Sequence, residues 1–183
     1  VKRGRLSQAK MDDCMALITP TSSMDDLGDA DLVIEAVYEN LDLKKEIFEH
    51  LDKIMKKGAL LASNTSALDI DAIAAVTSRP EMVVGMNFFS PANVMKLLEV
   101  VRGEKSSHES LATAMAIGKR LGKVSVLAGN QPGFIGNRMI FGYMAESQRL
   151  MLDGAMPEQI DRVVYDFGFA MGPFAMGDLT GID

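Results

Sequence analysis

Residues 31–64 read DLVIEAVYENLDLKKEIFEHLDKIMKKGALLASN, and this stretch decides the fold. Its first seven residues form a short apolar run with β-branched side chains, which is typical of a buried strand. Residues 41–57 place apolar side chains on one helical face opposite a charged face, and Gly58 follows as a predicted C-cap. The apolar face consists of Ile47, Phe48, Leu51, Ile54 and Met55. Residues 59–64 read as a second strand, so the stretch predicts a parallel β-α-β unit.

The alternation of helix and strand continues along the chain. We predict helix, strand, strand, helix and strand at residues 69–80, 82–89, 96–101, 106–122 and 123–129. A capping box of Ser106 and Glu109 opens the fourth of these elements. After Gln131-Pro132-Gly133 the pattern changes to two helices, residues 134–152 and 157–167, and no strand pattern returns. The sequence therefore predicts an α/β domain with a mostly parallel sheet, residues 1–130, followed by helical residues 131–183.

Composition excludes several classes of protein. The 183 residues are 48% hydrophobic and 24% charged, which fits a folded protein with one full core. A net charge of −6 argues against a nucleic-acid surface, which needs clustered Lys and Arg. No apolar run reaches the roughly 20 residues that a membrane span requires, and no signal-peptide pattern opens the chain. We expect a cytoplasmic protein, with the peroxisomal or mitochondrial matrix as alternatives.

The single cysteine and the two chain ends give three smaller predictions. Cys14 excludes an intrachain disulfide and fits a reducing compartment. Its apolar neighbours predict a buried, inert thiol. The helical pattern at Val1 has no cap before it, and GDLTGID at residues 177–183 reads as a fresh turn that leads nowhere. We therefore expect a fragment of a longer chain.

Polar residues follow the apolar strands at the positions where a ligand crevice would lie, because open parallel sheets bind ligands beyond the carboxyl ends of their strands. The predicted tips are residues 38–40, 64–66, 88–90 and 129–130. The same residue types cap helices, so each tip taken singly is more typical of a cap than of a ligand contact. No G-x-G-x-x-G motif occurs in the sequence. A dinucleotide site is therefore indicated only by the predicted arrangement of strands and helices, and no phosphate-binding motif supports it.

Five ordered blocks resemble the L-3-hydroxyacyl-CoA dehydrogenase family, most closely the dehydrogenase part of multifunctional fatty-acid oxidation proteins. They are IEAVYENLDLKKEIF, ASNTSALDI, GMNFFSPANVMKLLEVV, GNQPGFIGNRM and FGFAMGPFAMGDLTGID. The resemblance implies NAD-dependent oxidation of 3-hydroxyacyl-CoA in fatty-acid β-oxidation, with no metal. It also implies an incomplete Rossmann-like domain whose first β-α-β unit and glycine-rich turn precede this stretch. The all-α domain that follows would close the substrate cleft and mediate a homodimer or a multifunctional complex.

The resemblance also implies a set of site residues. The implied cofactor contacts are Glu39, Asn40, Lys44, Ser66 and Ser90. Ser66 would also touch the substrate hydroxyl, and Asn137 would contact the substrate oxygen. Ser90 stands where part of the family has asparagine.

The chain departs from the family at its general base. Glu99 matches the acidic member of a His–Glu pair, but the histidine position of that pair is Asn87. An imidazole can take up the hydroxyl proton near neutral pH, whereas a carboxamide only donates and accepts hydrogen bonds. His50 and His108 could replace the base only if they left predicted surface positions, on a charged helix face and in a helix cap.

Other interpretations of these residues stay open on the sequence alone. Glu99 could pair with Lys96 or Arg102, although strand alternation puts neither on its face, and Asn87 could bond a neighbouring loop. With Asn87 at the general-base position, the sequence leaves two functions open. The chain is either a dehydrogenase with an altered active site or a catalytically silent module that binds acyl-CoA and NAD. A 3-hydroxyacid dehydrogenase is a more distant alternative, against which the FFSP and MKLLEV blocks weigh.

Overall fold

The computed structural model describes residues 6–180 and shows a five-stranded sheet flanked by helices. The strands are β1 (Leu32–Glu35), β2 (Leu60–Ser63), β3 (Val83–Phe88), β4 (Leu97–Arg102) and β5 (Val124–Gly129). The helices are α1 (Gln8–Met15), α2 (Leu41–Ile54), α3 (Ile70–Ala74), α4 (His108–Arg120), α5 (Gly136–Leu152), α6 (Pro157–Phe167) and α7 (Pro173–Thr180). Short 3₁₀ turns cover Met24–Leu27 and Pro80–Met82. Residues 1–5 and 181–183, which contribute to the expectations about the ends, lie outside the described residues.

The sheet has the order β1-β2-β3-β4-β5. β1, β2 and β3 run parallel, β4 runs antiparallel to β3, and β5 runs parallel to β4. The connection between β3 and β4 spans only residues 89–96, which is too short for the crossover that a parallel pair needs. The predicted mostly parallel, Rossmann-like sheet is confirmed, as is the helical region after it.

Strand alternation divides the core between the two faces of the sheet. On one face Leu61, Val83 and Val101 pack with Phe48 of α2 and Ile73 of α3. On the other face the intervening strand residues pack against Leu111 and Ala114 of α4; they include Leu60, Ala62, Val84, Met86, Leu98 and Val100. Gly85 belongs to the first face, where a Cβ would lie 2.7 Å from Val101 Cβ.

Helix α2 shows how the predicted boundaries shift. Phe48, Leu51 and Met55 are buried as predicted, but the helix ends at Ile54 rather than residue 57. The Arg79 guanidinium bonds the carbonyl oxygens of Asp52, Met55 and Lys56, so these groups need no further helical turn. Gly58, predicted as the C-cap, instead has φ 81° in the turn that leads to β2.

Three further expectations are wrong. The N-cap of α4 is Ser107, which accepts from the Ser110 amide, because Ser106 donates to the Val83 carbonyl instead. Cys14 is exposed, since α1 buries none of its residues. Residues 177–180, predicted as a turn, belong to α7, which begins where Asp161 accepts from the amides of Phe174 and Ala175.

No helix among residues 6–180 is long and apolar enough to cross a membrane. Large apolar side chains are nonetheless exposed along α5, α6 and the turn after them, including Met139, Phe141, Leu152, Val163 and Phe167. Phe167 is 84% exposed and Leu152 88% exposed. The helical segment therefore carries apolar surface that its own contacts leave uncovered.

Candidate active site

Buried polar side chains gather on the face of the sheet that α2 and α3 cover. Glu35 pairs in register with Ser63, and Asn87 with Glu99. All four are at most 5% exposed, and alternation places them on the same face as Leu61 and Val83. They lie toward the carboxyl ends of β1, β2 and β3, where parallel strands commonly build their ligand sites.

The Asn87 amide and the Glu99 carboxylate form a direct pair. Asn87 Nδ2 donates to Glu99 Oε2 at 2.9 Å, across the antiparallel register of β3 and β4. The bond uses one of the two amide N–H groups and leaves the second and Oδ1 for another partner. Among the described residues no Lys or Arg nitrogen forms an ion pair with Glu99, so the alternative pairing with Lys96 or Arg102 is wrong.

The second oxygen of Glu99 contacts the start of α5. Glu99 Oε1 accepts from Gly136 N at 2.7 Å and from Ile135 N at 3.1 Å. The Phe89 ring packs so close to this turn that a Cβ on Gly136 would lie 2.7 Å from its Cζ. The strand carboxylate and the first residues of the helical segment therefore form one hydrogen-bonded unit.

Ser66 and Asn137 meet beside this unit. Asn137 Nδ2 donates to the Ser66 carbonyl oxygen at 3.3 Å, and Asn137 directly follows the Gly136 amide that Glu99 binds. Glu39 fixes Ser66 from the other side, because its Oε1 accepts from Ser66 N at 2.9 Å and from Thr65 Oγ1 at 2.5 Å. With Asn87 bound to Glu99 and Lys44 paired with Glu39, the structure thus brings six of the eight predicted site residues into one chain of contacts.

Glu35 supports this chain of contacts and was not predicted from the sequence. Lys44, from α2, is 1% exposed and places its Nζ 2.7 Å from Glu35 and 3.4 Å from Glu39. Glu35 also accepts from Ser63 Oγ and Val37 N, each at 2.7 Å. A glutamate at a strand end inside an apolar run, nine residues before a lysine, is the signal that could have revealed the pair.

The electrostatics at Glu39 favour its ionised form. Burial alone would raise the pKa of Glu39, but hydrogen bonds from Thr65 and Ser66 and the charge of Lys44 outweigh it and lower that pKa. Glu39 therefore holds Ser66 as a carboxylate at neutral pH, and 42% of its side chain is exposed.

The remaining predicted residues stand apart. Asn40 caps α2, with its Oδ1 accepting from the Leu43 amide, and Ser90 lies exposed after β3. The fourth predicted tip is wrong as part of the crevice, because β5 runs against β3 and Gly129 pairs with Arg102 near the start of β3. Asn130 there bonds Asp69, Asp71 and the Ile70 amide, which fixes the first turn of α3.

Neither His50 nor His108 forms a hydrogen bond with Asn87 or Glu99. His50 Nε2 bonds Asp25 at 3.0 Å on the surface, and His108 opens α4 in an exposed position. Among residues 6–180 no group of three or more His, Cys, Asp or Glu side chains is placed to hold a metal ion. The polar groups that this face presents are amides, hydroxyls, carboxylates and the Lys44 ammonium.

Two hydrogen-bonding residues lie at the ends of β1 and β2. Glu39 and Ser66 present hydrogen-bonding groups at the tips of β1 and β2, and Ser66 is only partly buried. A pyrophosphate is normally held by a glycine-rich turn at a helix N-terminus. The sequence contains no such glycine-rich motif.

Comparison with known proteins identifies the family of this site. Residues 1–131 match the sequence model described as 3-hydroxyacyl-CoA dehydrogenase, NAD binding domain, and residues 133–183 match the C-terminal domain of the same family. The chain is 59% identical over 161 residues to the peroxisomal bifunctional enzyme of Danio rerio, a match that covers 88% of this chain and 22% of that protein. It is 42% identical over 183 residues to the fatty acid oxidation complex subunit alpha of Psychrobacter sp. (strain PRwf-1), covering 100% of this chain and 26% of that protein.

Solved structures show the same fold. FadB2 of M. tuberculosis superposes with a TM-score of 0.94 at 35% identity, covering 98% of this chain and 65% of that one. The 3-hydroxybutyryl-CoA dehydrogenase of Escherichia coli K12 gives 0.92 at 40% identity, covering 98% and 39%. The chain spans about a quarter of the length of the curated relatives described above. The predicted resemblance is confirmed, and the chain belongs to the 3-hydroxyacyl-CoA dehydrogenase family.

Proposed function

We propose that this chain is the dehydrogenase module of a multifunctional fatty-acid oxidation protein and acts on L-3-hydroxyacyl-CoA with NAD, with Asn87 in place of the general base. The observation that carries the proposal is the bond from Asn87 Nδ2 to Glu99 Oε2 on neighbouring strands. It occupies the place where the family resemblance puts a His–Glu pair, beside Ser66 and Asn137.

The proposed roles follow from the groups at the site. NAD, when bound, accepts the hydride that leaves C3 of the substrate. We assign Ser66 Oγ and the Asn137 side-chain amide to hold the 3-hydroxyl oxygen. Asn87 cannot take the hydroxyl proton near neutral pH. Loss of a general base typically costs about 10²- to 10⁴-fold in rate, so we expect slow turnover.

A second candidate function is a silent module that binds acyl-CoA and NAD without oxidising the substrate. The amide at position 87 favours it, because Glu99 then bonds only groups that move no proton: one amide and two backbone N–H groups. The bond from the Asn137 amide to the Ser66 backbone carbonyl keeps both residues together beside Glu99, which favours the catalyst.

An assay with the protein that carries this chain separates the two functions. NADH formed from 3-hydroxybutyryl-CoA is measured at saturating NAD, with Ser66→Ala as the negative control. The proposal predicts slow NADH formation that Ser66→Ala reduces further. Binding of both ligands with no NADH above the Ser66→Ala level would favour the silent module, and binding of neither would contradict both.

Domain organisation, partners and compartment follow from the same proposal. We place the domain boundary near residue 130, between the end of β5 and the start of α5. We infer that the apolar surface of α5 and α6 packs against further parts of a multifunctional protein or a second copy, because Leu152 and Phe167 are almost fully exposed. The relatives named peroxisomal bifunctional enzyme support the peroxisomal matrix as the compartment, with the cytoplasm as the alternative.

A further inference from the structure

We propose that Glu99 is the N-terminal cap of α5 and thereby a positioning residue for Asn137, whatever side chain occupies position 87. The role of Asn137 toward substrate rests on the proposed function, whereas the capping itself does not. The two oxygens of Glu99 have different partners. Oε2 accepts from Asn87, and Oε1 accepts from the first backbone amides of the helix.

Helix α5 lacks a side-chain cap of its own. Its 17 residues begin after Ile135, whose side chain makes no capping hydrogen bond. Amides at a helix N-terminus have no partner within the helix and need one from elsewhere. Glu99 supplies it from β4, at 2.7 Å and 3.1 Å, so a residue 37 positions away in sequence caps the helix.

The turn before α5 is shaped to receive a carboxylate. Phe134 has φ 44°, a left-handed value that is unusual for a bulky residue, and Ile135 follows in the right-handed region with φ −108°. Successive residues of opposite hand aim their amides into one concave anion site. The conformation therefore directs the Ile135 and Gly136 amides to the same oxygen, and the buried Phe134 ring, 3% exposed, holds the turn in the core.

The buried Glu99 carboxylate is stabilised by the N-terminus of α5. Glu99 is 1% exposed, and no cation pairs with it among the described residues. A buried carboxylate without hydrogen bonds is strongly unfavourable, and the N-terminus of a long helix carries partial positive charge. Glu99 and α5 therefore stabilise each other, and this requires no histidine at position 87.

Capping sets the position of Asn137. The Gly136 amide bonds Glu99, and the next residue reaches Ser66 with its side chain at 3.3 Å. A displaced first turn of α5 would carry Asn137 away from Ser66. This accounts for the presence of Glu99 beside an amide that cannot relay a proton.

Substitution by glutamine separates capping from proton chemistry. Glu99→Gln keeps an oxygen that can accept from both amides, whereas Glu99→Leu keeps none. Hydrogen exchange of the Ile135 and Gly136 amides, measured by NMR relative to the Val100 amide, should stay within a few-fold in Glu99→Gln. In Glu99→Leu it should rise about tenfold or more, and the Asn137 side-chain amide resonance should shift. Asn87→Ala is the control and should leave both amides protected.

Two results would overturn the proposal: unchanged protection in Glu99→Leu, or equal loss in Glu99→Gln and Glu99→Leu. If Glu99→Leu fails to fold, Glu99→Asp serves in its place, because it keeps the charge but is one methylene too short for the helix amides. It should then lose protection at Ile135 and Gly136 while the strands stay protected. These measurements use no NAD or substrate, so failure of the dehydrogenase assay leaves their outcome untouched.

A kinetic measurement tests positioning apart from stability. In an Asn87→His background, Glu99→Gln should lower kcat with little change in KM for the 3-hydroxyacyl-CoA. Glu99→Leu should lower kcat and also raise KM, because Asn137 would be displaced from the substrate oxygen. The same KM in both variants would show that Glu99 does not position Asn137.

Discussion

Three hydrogen bonds made by the Glu99 carboxylate tie three parts of the site together at the scale of single residues. They reach Asn87 on β3 and the two amides that begin α5. Gly136 makes this approach feasible, because any side chain there would meet the Phe89 ring at 2.7 Å and Glu99 Oε1 at 3.5 Å. The absence of one methyl group therefore permits the contact between sheet and helix.

Gly136→Ala should destabilise this chain by about 1–3 kcal/mol, because the new methyl group must push Phe89 or the first turn of α5 aside. Gly142→Ala is the matched control in the same helix, since its Cβ would meet nothing within 4 Å. That substitution should stabilise the chain by about 0.5–1 kcal/mol, as removing an exposed helical glycine does. Urea unfolding of both variants is the measurement, and equal stabilities would count against a close contact at Gly136.

At the scale of elements, β1 and α2 are joined by the buried pair of Glu35 and Lys44. Removing one partner of a buried ion pair leaves an uncompensated charge and typically costs about 3–5 kcal/mol. Glu35→Gln should therefore lower the free energy of unfolding by about 3 kcal/mol, and adding Lys44→Met should restore much of the loss. Denaturant unfolding of the single and double variants tests the coupling.

An exposed ion pair serves as the control for the comparison of single and double variants of Glu35 and Lys44. Arg162 and Asp166 lie 3.6 Å apart on α6 with side chains 80% and 63% exposed, so Asp166→Asn should change stability by less than about 0.5 kcal/mol. If the effects of Glu35→Gln and Lys44→Met simply add, the two residues do not act as a pair.

Elements with a strong period were predictable, and long-range partners were not. The apolar stripe of α2 predicted Phe48 and Leu51 in the core because a 3.6-residue period fixes one face. The resemblance implied a cofactor contact for Lys44, but the sequence pattern did not reveal its buried partners Glu35 and Glu39. Residue type predicted Asn130 as a ligand or a cap, and only the direction of β5 shows that it belongs to α3.

The site was predictable only as far as the family resemblance reached. That resemblance named Glu99 and Asn137, and the structure links them through Gly136. Nothing in the local sequence indicates that Glu99 caps a helix 37 residues further on, because the contact depends on the left-handed turn at Phe134. Glu35 was missed for a similar reason, since its partners come from β2 and α2.

At the scale of the whole molecule, several carboxylates link stability to pH. Burial raises the pKa of Asp52, but bonds from Ser78 and Arg79 outweigh it and lower that pKa. A side-chain hydrogen bond from Asn130 lowers the pKa of Asp69. Burial raises the pKa of Glu39, but hydrogen bonds from Thr65 and Ser66 and the charge of Lys44 outweigh burial and lower that pKa. Each group binds a proton more readily in the unfolded chain than in the folded one.

The stability that these carboxylates contribute should therefore be fully present above their pKa values in the unfolded chain. It should decline below about pH 4.5, as the pH falls through their lowered pKa values in the folded protein. The test is the urea midpoint measured at several pH values from 7 down to about 3. Asp52→Asn should flatten the decline, because it removes one of the linked protons. An Asp52→Asn curve parallel to that of the parent chain would contradict the assigned role of Asp52.

The central claim is that Asn87 occupies the place of a general base supported by Glu99. In the protein that carries this chain, Asn87→Ala should change turnover little, because little base catalysis is left to lose. Asn87→His should raise kcat on a 3-hydroxyacyl-CoA by about 10²-fold or more, since an imidazole beside Glu99 can take the hydroxyl proton. Adding Glu99→Gln should remove most of that gain, because the imidazole would lose the carboxylate that orients it.

The most direct measurement is steady-state NADH production by the parent, Asn87→His and Asn87→His/Glu99→Gln proteins at saturating NAD and substrate. The account predicts a slow parent, a single variant faster by about two orders of magnitude, and a double variant close to the parent. A parent that already turns over rapidly and that Asn87→His fails to improve would show that the base lies elsewhere.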